Sequence, residues 1–338
     1  MADISKYKIC TLASHSALQI LKGAKDEGFE TIAICQKGRE GIYESYNVAD
    51  KIITLDKFED YFKIEEELVK DNAIIIPHGS FVSYLGHEKI ESIKAMHYGN
   101  KKIIEWESDR EKERKWLLDA KLNLPKIYKD PEEIDGPVII KFHGAQGGKG
   151  YFIANNPQEY HERINESGNN DEHAIQEYIV GVPLYTHYFY SRLTDELEIM
   201  SFDKRYESNA DSIGRISAKD QLDTNIRTSY TITGNIPLVV RESLLPILHE
   251  MGRNVIESSK KFVDGGLFGP FCLEAIIDPN LQFFVFEISA RIVAGTNPFI
   301  NGSPYTWLKY DVPMSTGRRI ALDIKQAIQE DKLDMVLG

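Results

Sequence analysis

Near the start of the chain, short apolar runs alternate with amphipathic stretches. Lys8-Ile9-Cys10-Thr11-Leu12, Thr31-Ile32-Ala33-Ile34-Cys35, Lys51-Ile52-Ile53-Thr54-Leu55 and Ala73-Ile74-Ile75-Ile76 are almost unbroken in hydrophobicity, as strands buried on both faces are. Between them, residues 17–28 and 58–70 repeat apolar positions at helical spacing, so the pattern predicts βαβ units around a parallel sheet. From about residue 138 the character changes to hairpin patterns, with strands predicted over 138–142, 151–154, 174–179, 184–191, 197–202, 271–277 and 282–289. Helical patterns at 157–166, 241–261 and 318–330 would pack on these strands, making the second part α+β. The stretch 105–120, dense in charge but carrying Trp106 and Trp116, reads as a solvated helix with a few anchoring residues, in a connecting role.

In open α/β sheets ligands bind beyond the carboxyl ends of the strands. There the chain reads Ser14-His15-Ser16 and His78-Gly79-Ser80. These are either ligand loops or helix caps in which Ser14 or Ser16 accepts an early backbone N–H. Neither holds the GxGxxG turn of a dinucleotide site.

Length, charge and cysteines narrow the class. A chain of 338 residues suits two domains or one large domain with an inserted lobe. The formal charge of −12 argues against nucleic acid or anionic lipid as bulk partners, so an anionic ligand must meet a local basic cluster. Cys10, Cys35 and Cys272 lack disulfide or zinc spacing and read as reduced core thiols. No targeting or membrane segment is evident, and the expected location is the cytoplasm.

Two segments carry chemistry. Residues 138–154 read as strand, glycine-rich turn and strand, with His143-Gly144-Ala145-Gln146-Gly147-Gly148-Lys149-Gly150 at the turn. A Walker loop needs Ser or Thr after the lysine and a helix beyond it, and neither is present. The alternatives are a phosphate-covering lid, with Lys141 and Lys149 adding charge, or a plain mobile hairpin. The second segment, residues 271–289, reads as two strands around Asp278-Pro279-Asn280. A turn centred between Asn280 and Leu281 sets Glu274 opposite Glu287. Directly opposed residues have Cβ atoms ~5 Å apart, and two carboxylates there repel unless a cation separates them. A divalent ion such as Mg²⁺, which takes hard oxygen ligands, would resolve this; a protonated glutamate or a register slip would also do so. Arg291, on Glu287's face, would meet a phosphate or pair with one of these carboxylates.

A lysine strand, a glycine hairpin, the run Ala174-Ile175-Gln176-Glu177-Tyr178-Ile179 and late paired glutamates behind an α/β domain resemble the ATP-grasp fold over most of the chain. ASHSALQI with His15, HGSFVSYLG with Ser80, KFHGAQGGKGYF, Thr233-Gly234-Asn235-Ile236-Pro237, Arg241-Glu242-Ser243-Leu244-Leu245 and EISARIVAGTNPF together resemble the archaeal folate-independent FAICAR synthetase family, the formate–phosphoribosylaminoimidazolecarboxamide ligases. The resemblance implies an α/β and α+β chain: a Rossmann-like parallel-sheet domain over 1–120 and an ATP-grasp domain over 121–338, with a lid lobe near 125–190 and a metal-binding lobe near 191–338.

It further implies that ATP phosphorylates formate and that the 5-amino group of AICAR attacks the formyl phosphate, giving FAICAR, ADP and phosphate for purine synthesis. By the same resemblance Glu274 and Glu287 hold Mg²⁺, with Mn²⁺ as a substitute, and His15, Ser80 and Asn235 contact AICAR. Lys141, Gly144, Gly147, Gly148 and Lys149 hold phosphates, Gln176, Glu177, Tyr178 and Ile179 frame adenine, and Glu207 is a further nucleotide contact. Lys141, Lys149 and Arg291 stabilise the transferring phosphoryl group. Trimers or hexamers are implied as well. In one respect the chain departs from the wider fold: many ATP-grasp enzymes carry a ribose-binding acid soon after the inter-lobe Glu, whereas residues 180–187 contain none and Glu207 would substitute. The competing readings are a paralogue joining another acid to another amine, and a nucleotide-binding sensor without chemistry.

Overall fold

The computed structural model describes residues 3–142, 151–168, 172–207, 210–224 and 231–338. Strands β1 (Lys8–Leu12), β2 (Glu30–Gln36), β3 (Lys51–Leu55), β4 (Ala73–Ile75) and β5 (Met96–His97) form a parallel sheet in the order β3-β2-β1-β4-β5. The four predicted strands are present; β5 spans two residues, too short for a periodic signal. The predicted helix over 58–70 divides into a 3-10 turn, Phe58–Lys63, and an α-helix, Glu65–Lys70. Phe58 and Tyr61 both point into the core, and a three-residue repeat aligns them on one face.

The stretch 105–120 departs from its reading. It holds two helices, Ile103–Ser108 and Arg110–Asp119, separated at Asp109, whose side chain accepts from the backbone N–H of Glu111 and Lys112. This is an N-cap, which starts a new helix and ends the old one. The second helix is anchored as expected by Trp116, which is buried with Leu117 and donates its ring N–H to the carbonyl of Val255 at 3.0 Å.

A four-stranded sheet follows, with β6 (Ile127–Tyr128), β7 (Val138–Phe142), β8 (Phe152–Ala154) and β9 (His173–Glu177) in the order β6-β9-β7-β8. The largest sheet is antiparallel and built from β10 (Val182–Ser191), β11 (Glu196–Glu207), β12 (Ile232–Leu238), β13 (Gly269–Ile277) and β14 (Phe283–Ser289), in the order β12-β11-β10-β13-β14. Strand β11 runs five residues beyond its predicted end, and β12 was not anticipated.

One face of the large sheet is apolar. Leu184, Phe202, Leu273 and Ile288 share a core with Leu248, Met251 and Val255 of the helix Leu245–Phe262. The C-terminal helix, Thr316–Gln329, packs elsewhere: Ile320, Ile324 and Ile328 complete a core with Ile9, Ile20 and Ile74 of the parallel-sheet domain. It crosses the helix Ala17–Asp26 at a glycine contact, where a Cβ on Gly23 would lie 2.3 Å from the Arg318 nitrogen and one on Gly317 would lie 2.4 Å from the Gln19 carbonyl oxygen. Cys10, Cys35 and Cys272 are all buried free thiols. Among the described residues no helix is long and apolar enough to cross a membrane.

Candidate active site

Strand alternation turns the other face of the large sheet polar. Tyr185 pairs with Asp203 on one side and Glu274 on the other, Glu274 pairs with Glu287, and Arg205 pairs with Asn235. Successive side chains on a strand point to opposite faces, so these residues lie together while their neighbours fill the core.

The glutamate pairing holds by a route different from the expected one. Nearest the turn, Ile277 faces Phe283, Ile276 faces Phe284 and Ala275 faces Val285, after which a bulge shifts the register and Glu274 meets Glu287. The turn is therefore centred on Asn280. Without the extra residue, Glu274 would oppose Phe286. The bulge sets Phe286 beside Glu287, and the Phe286 ring meets Tyr185 edge-on.

The two carboxylates are not equivalent. Glu274 is buried and accepts from the Arg205 guanidinium at 2.9 Å, while Glu287 is exposed toward the site. Burial and the neighbouring Glu287 push the Glu274 carboxyl above its usual range, and Arg205 opposes that rise. Arg205 also lies 3.5 Å from Asp203, with its guanidinium over the Tyr185 ring at 4.1 Å. The cation inferred from two facing glutamates is thus supplied, for Glu274, by the protein itself.

More carboxylates arrive from the 103–119 helices. Glu107 accepts from the Ala290 backbone N–H at 2.8 Å and from Arg291 at 2.9 Å, and Glu113 accepts from the Ile288 N–H at 2.7 Å. Burial raises both carboxyls; Glu287 adds to the rise at Glu113, and Arg291 counters it at Glu107. Arg291 therefore pairs with a carboxylate outside the hairpin, and its buried Nε has no hydrogen-bond partner among the described residues.

Lys141 reaches this cluster from β7. Its Nζ donates to Gln176 Oε1 at 3.1 Å and lies 5.5 Å from the centre of the Phe286 ring. Burial lowers the lysine's pKa, and Glu287, Glu113 and Glu274 pull it back up. Glu177 accepts from the Lys126 backbone N–H at 2.9 Å, and the Tyr178 N–H donates to the Pro137 carbonyl at 2.8 Å, which holds the segment Gln176-Glu177-Tyr178-Ile179 at the end of β9. Glu207 ends β11, half-buried, and its carboxyl is raised by burial and by Asp211. Gly144, Gly147, Gly148 and Lys149 lie outside the described residues.

The strand-end loops form the facing wall. Neither Ser14 nor Ser16 caps the helix that follows. Instead Ser14 and Ser80 hydroxyls meet at 3.1 Å, and Ser16 Oγ lies 2.9 Å from His15 Nδ1. His15 has a left-handed backbone (φ 54°) and stacks on His78 at 5.3 Å. It keeps an exposed edge, yet protein surrounds most of the ring, and that crowding, with the charges of Arg291 and Arg205 nearby, holds it neutral. A Cβ on Gly79 would lie 2.8 Å from His15 Nε2, so a side chain there would push the His15 ring aside. Asn297 then ties the walls together by donating to the His15 carbonyl at 3.1 Å.

Family models described as a domain of unknown function (DUF1297) and a protein of unknown function (DUF1246) match residues 156–338 and 9–128. A 5-formaminoimidazole-4-carboxamide-1-(beta)-D-ribofuranosyl 5'-monophosphate synthetase from Pyrococcus abyssi is 56% identical over 337 residues, which cover 98% of each chain. The chain belongs to this synthetase family. A crystal structure of an IMP biosynthesis protein PurP from Thermococcus kodakaraensis is 29% identical, with a TM-score of 0.78 over 98% of this chain and 100% of that one. The N5-carboxyaminoimidazole synthetase of Staphylococcus aureus, complexed with ADP, is 16% identical and matches at a TM-score of 0.66 over 95% of this chain and 78% of its own. That likeness is one of fold, and the expected ATP-grasp architecture is the one observed.

Within this synthetase fold, the residues that sequence reasoning missed are Asp203, Arg205, Glu107 and Glu113. Asp203, Arg205 and Glu207 sit at alternate positions of β11, so a period-2 signal was present beyond the assigned end at Phe202. Nothing local marks Glu107 or Glu113. A divalent cation fits the hairpin in one respect: Glu287 offers hard oxygens next to Glu274 and has no ion pair among the described residues. No group of three or more His, Cys, Asp or Glu arranged to hold a metal occurs among the described residues, so further ligands would come from substrate oxygens.

Proposed function

We propose that this chain formylates the 5-amino group of AICAR with formate at the expense of ATP, giving FAICAR, ADP and phosphate through formyl phosphate, in purine synthesis. The observation that carries the reading is continuity. Lys141 lies within electrostatic reach of Glu287, Glu287 faces Glu274, Glu274 pairs with Arg205, Arg205 neighbours Asp203, and Asp203 binds Asn235. Charges for handling a triphosphate thereby run without a break into neutral hydrogen-bonding groups suited to a heterocycle.

Formate is a poor electrophile because its carboxylate is delocalised, and a phosphate on one oxygen provides the leaving group. Bound Mg²⁺, with Mn²⁺ as a substitute, would be held by Glu274 and Glu287 and would neutralise phosphate charge. Lys141 orients phosphate oxygens from β7, and Arg291, held by Glu107, adds positive charge. Gln176, Glu177, Tyr178 and Ile179 frame adenine, Glu207 is a further nucleotide contact, and the 144–150 loop with Lys149 covers the phosphates by sequence resemblance. His15, Ser80 and Asn235 hold AICAR as uncharged donors and acceptors. The same resemblance supports a homo-oligomer working in the cytoplasm, and light scattering on the purified protein tests the first of these.

The test is incubation with ATP, Mg²⁺, formate and AICAR, omitting each in turn, while ADP and FAICAR are followed together. Equal formation of both, requiring every component, is expected. ADP release that ignores AICAR would overturn the assignment and point to another amine.

A further inference from the structure

Asp203 is the most heavily engaged carboxylate on the polar face of the sheet. Its side chain is fully buried and meets three groups: His187 Nε2 at 2.7 Å from Oδ1, Asn235 Nδ2 at 2.7 Å from Oδ2, and the Arg205 guanidinium at 3.5 Å. The turn above it fits closely, since a Cβ on Gly295 would lie 2.3 Å from Asp203 Oδ1 and 2.8 Å from His187 Cε1. That turn, Ala294–Phe299, also carries Asn297 to the His15 carbonyl. Water that would compete for the Asp203 carboxylate is kept away by glycine backbone.

A carboxylate only accepts hydrogen bonds, whereas an asparagine amide presents a donor on one side and an acceptor on the other. Asp203 therefore decides which way the Asn235 amide points: the NH₂ group is committed to Asp203 Oδ2, and the carbonyl oxygen faces the other way. Among the described residues no donor meets that oxygen. His187 acts from behind in the same sense. Its Nε2–H donates to Asp203, leaving Nδ1 buried and, among the described residues, without a partner, an arrangement that costs free energy and fixes the carboxylate plane.

We infer that Asp203 is a positioning residue that turns the carbonyl oxygen of Asn235 toward the substrate, so that the site accepts a ligand bearing an N–H donor, the amine or carboxamide of AICAR, at that point. This rests on the proposed function, in which Asn235 touches AICAR. It adds a polarity to that contact: an amine or amide N–H is matched, and an analogue offering a carbonyl or carboxylate oxygen in the same place is rejected, because two acceptors would face each other.

The polarity can be reversed and restored by mutation. Asp203→Asn gives position 203 a donor as well as an acceptor, and the Asn235 amide loses its fixed orientation. Exchanging the pair, Asp203→Asn with Asn235→Asp, restores one donor facing one acceptor and leaves an oxygen toward the substrate. AICAR affinity is measured by calorimetry, and KM for AICAR and for ATP by turnover, with thermal unfolding in parallel.

In D203N the AICAR affinity should fall by about tenfold to a hundredfold while KM for ATP changes little, and the exchanged pair should recover most of the loss. D203N with unchanged AICAR affinity, or a loss that the exchange does not reverse in a protein unfolding at the wild-type temperature, overturns the inference. Wild-type protein that neither binds nor turns over AICAR removes the proposed function and this inference together. Wild-type activity with an indifferent Asp203 removes the inference alone.

Discussion

The two walls of the site use different physics. On the strand-end loops His15, Ser14, Ser80 and His78 are neutral groups held by short local contacts, hydroxyl to hydroxyl and ring on ring. On the sheet face Asp203, Arg205, Glu274 and Glu287, joined by Glu107, Glu113 and Arg291, form a network of charges that compensate one another. Neutral groups discriminate by shape and by matching donors to acceptors, at about a kilocalorie per contact. Charges in a partly buried setting hold anions strongly but cost much when left unpaired. Under the proposed function, the loops and Asn235 at the edge of the sheet would recognise the heterocycle, and the charged groups of the sheet face would manage phosphoryl transfer.

The largest test of this contrast is Glu287→Gln and Glu274→Gln, each expected to lower kcat by about a thousandfold when ADP release is followed at saturating substrates. Near-normal turnover in both variants would remove the metal role from the charged wall. Next is Arg205→Met, which leaves Glu274 buried without its cation; calorimetry should show a loss of about 3 kcal/mol or more, partly recovered by adding Glu274→Gln. If the double variant is no more stable than the single one, the pairing is not what supports that wall.

On the neutral wall the expected effect is a pH dependence of stability. Burial holds His78 at about 4, below its ordinary value of 6.5, so folding favours the uncharged ring. The stabilisation is complete above pH 6.5 and is lost as pH falls toward 4, a change on the order of 3 kcal/mol that denaturant titrations at several pH values would reveal. His78→Gln should remove about that share of the slope, leaving the part contributed by His15 and His97, whose rings burial also holds below their ordinary value. The smallest effect belongs to His15→Ala, for which KM for AICAR should rise about tenfold with kcat nearly unchanged. A collapse of kcat instead would place His15 with the chemistry rather than with recognition.

How far each wall was legible follows from the same division. The loops at His15 and Ser80 stand where strand patterns end, so position alone made them candidates, and their hydroxyls turned to each other and to His15 rather than capping helices. The hairpin was found from its turn residues and alternation. Its glutamates met only because a bulge beside Phe286 offset a turn centred one half-residue from the predicted point, and a bulge has no marker in this stretch. In the segment 105–120 the anchoring Trp116 was foreseen, but the break at Asp109 and the docking of Glu107 and Glu113 onto the hairpin were not, because a charged side chain looks solvated until the surface it packs against is known.

From the sequence alone came whatever short-range physics controls: the strand and helix periods, the change from parallel to antiparallel architecture, and the hairpin that carries Glu274 and Glu287. Tertiary structure alone decided the partners. Glu107 meets the Ala290 backbone across 183 residues, and Glu113 meets that of Ile288 across 175. Such pairings arise when separately formed elements dock and each buried charge must find its complement, and no local pattern records which complement that will be.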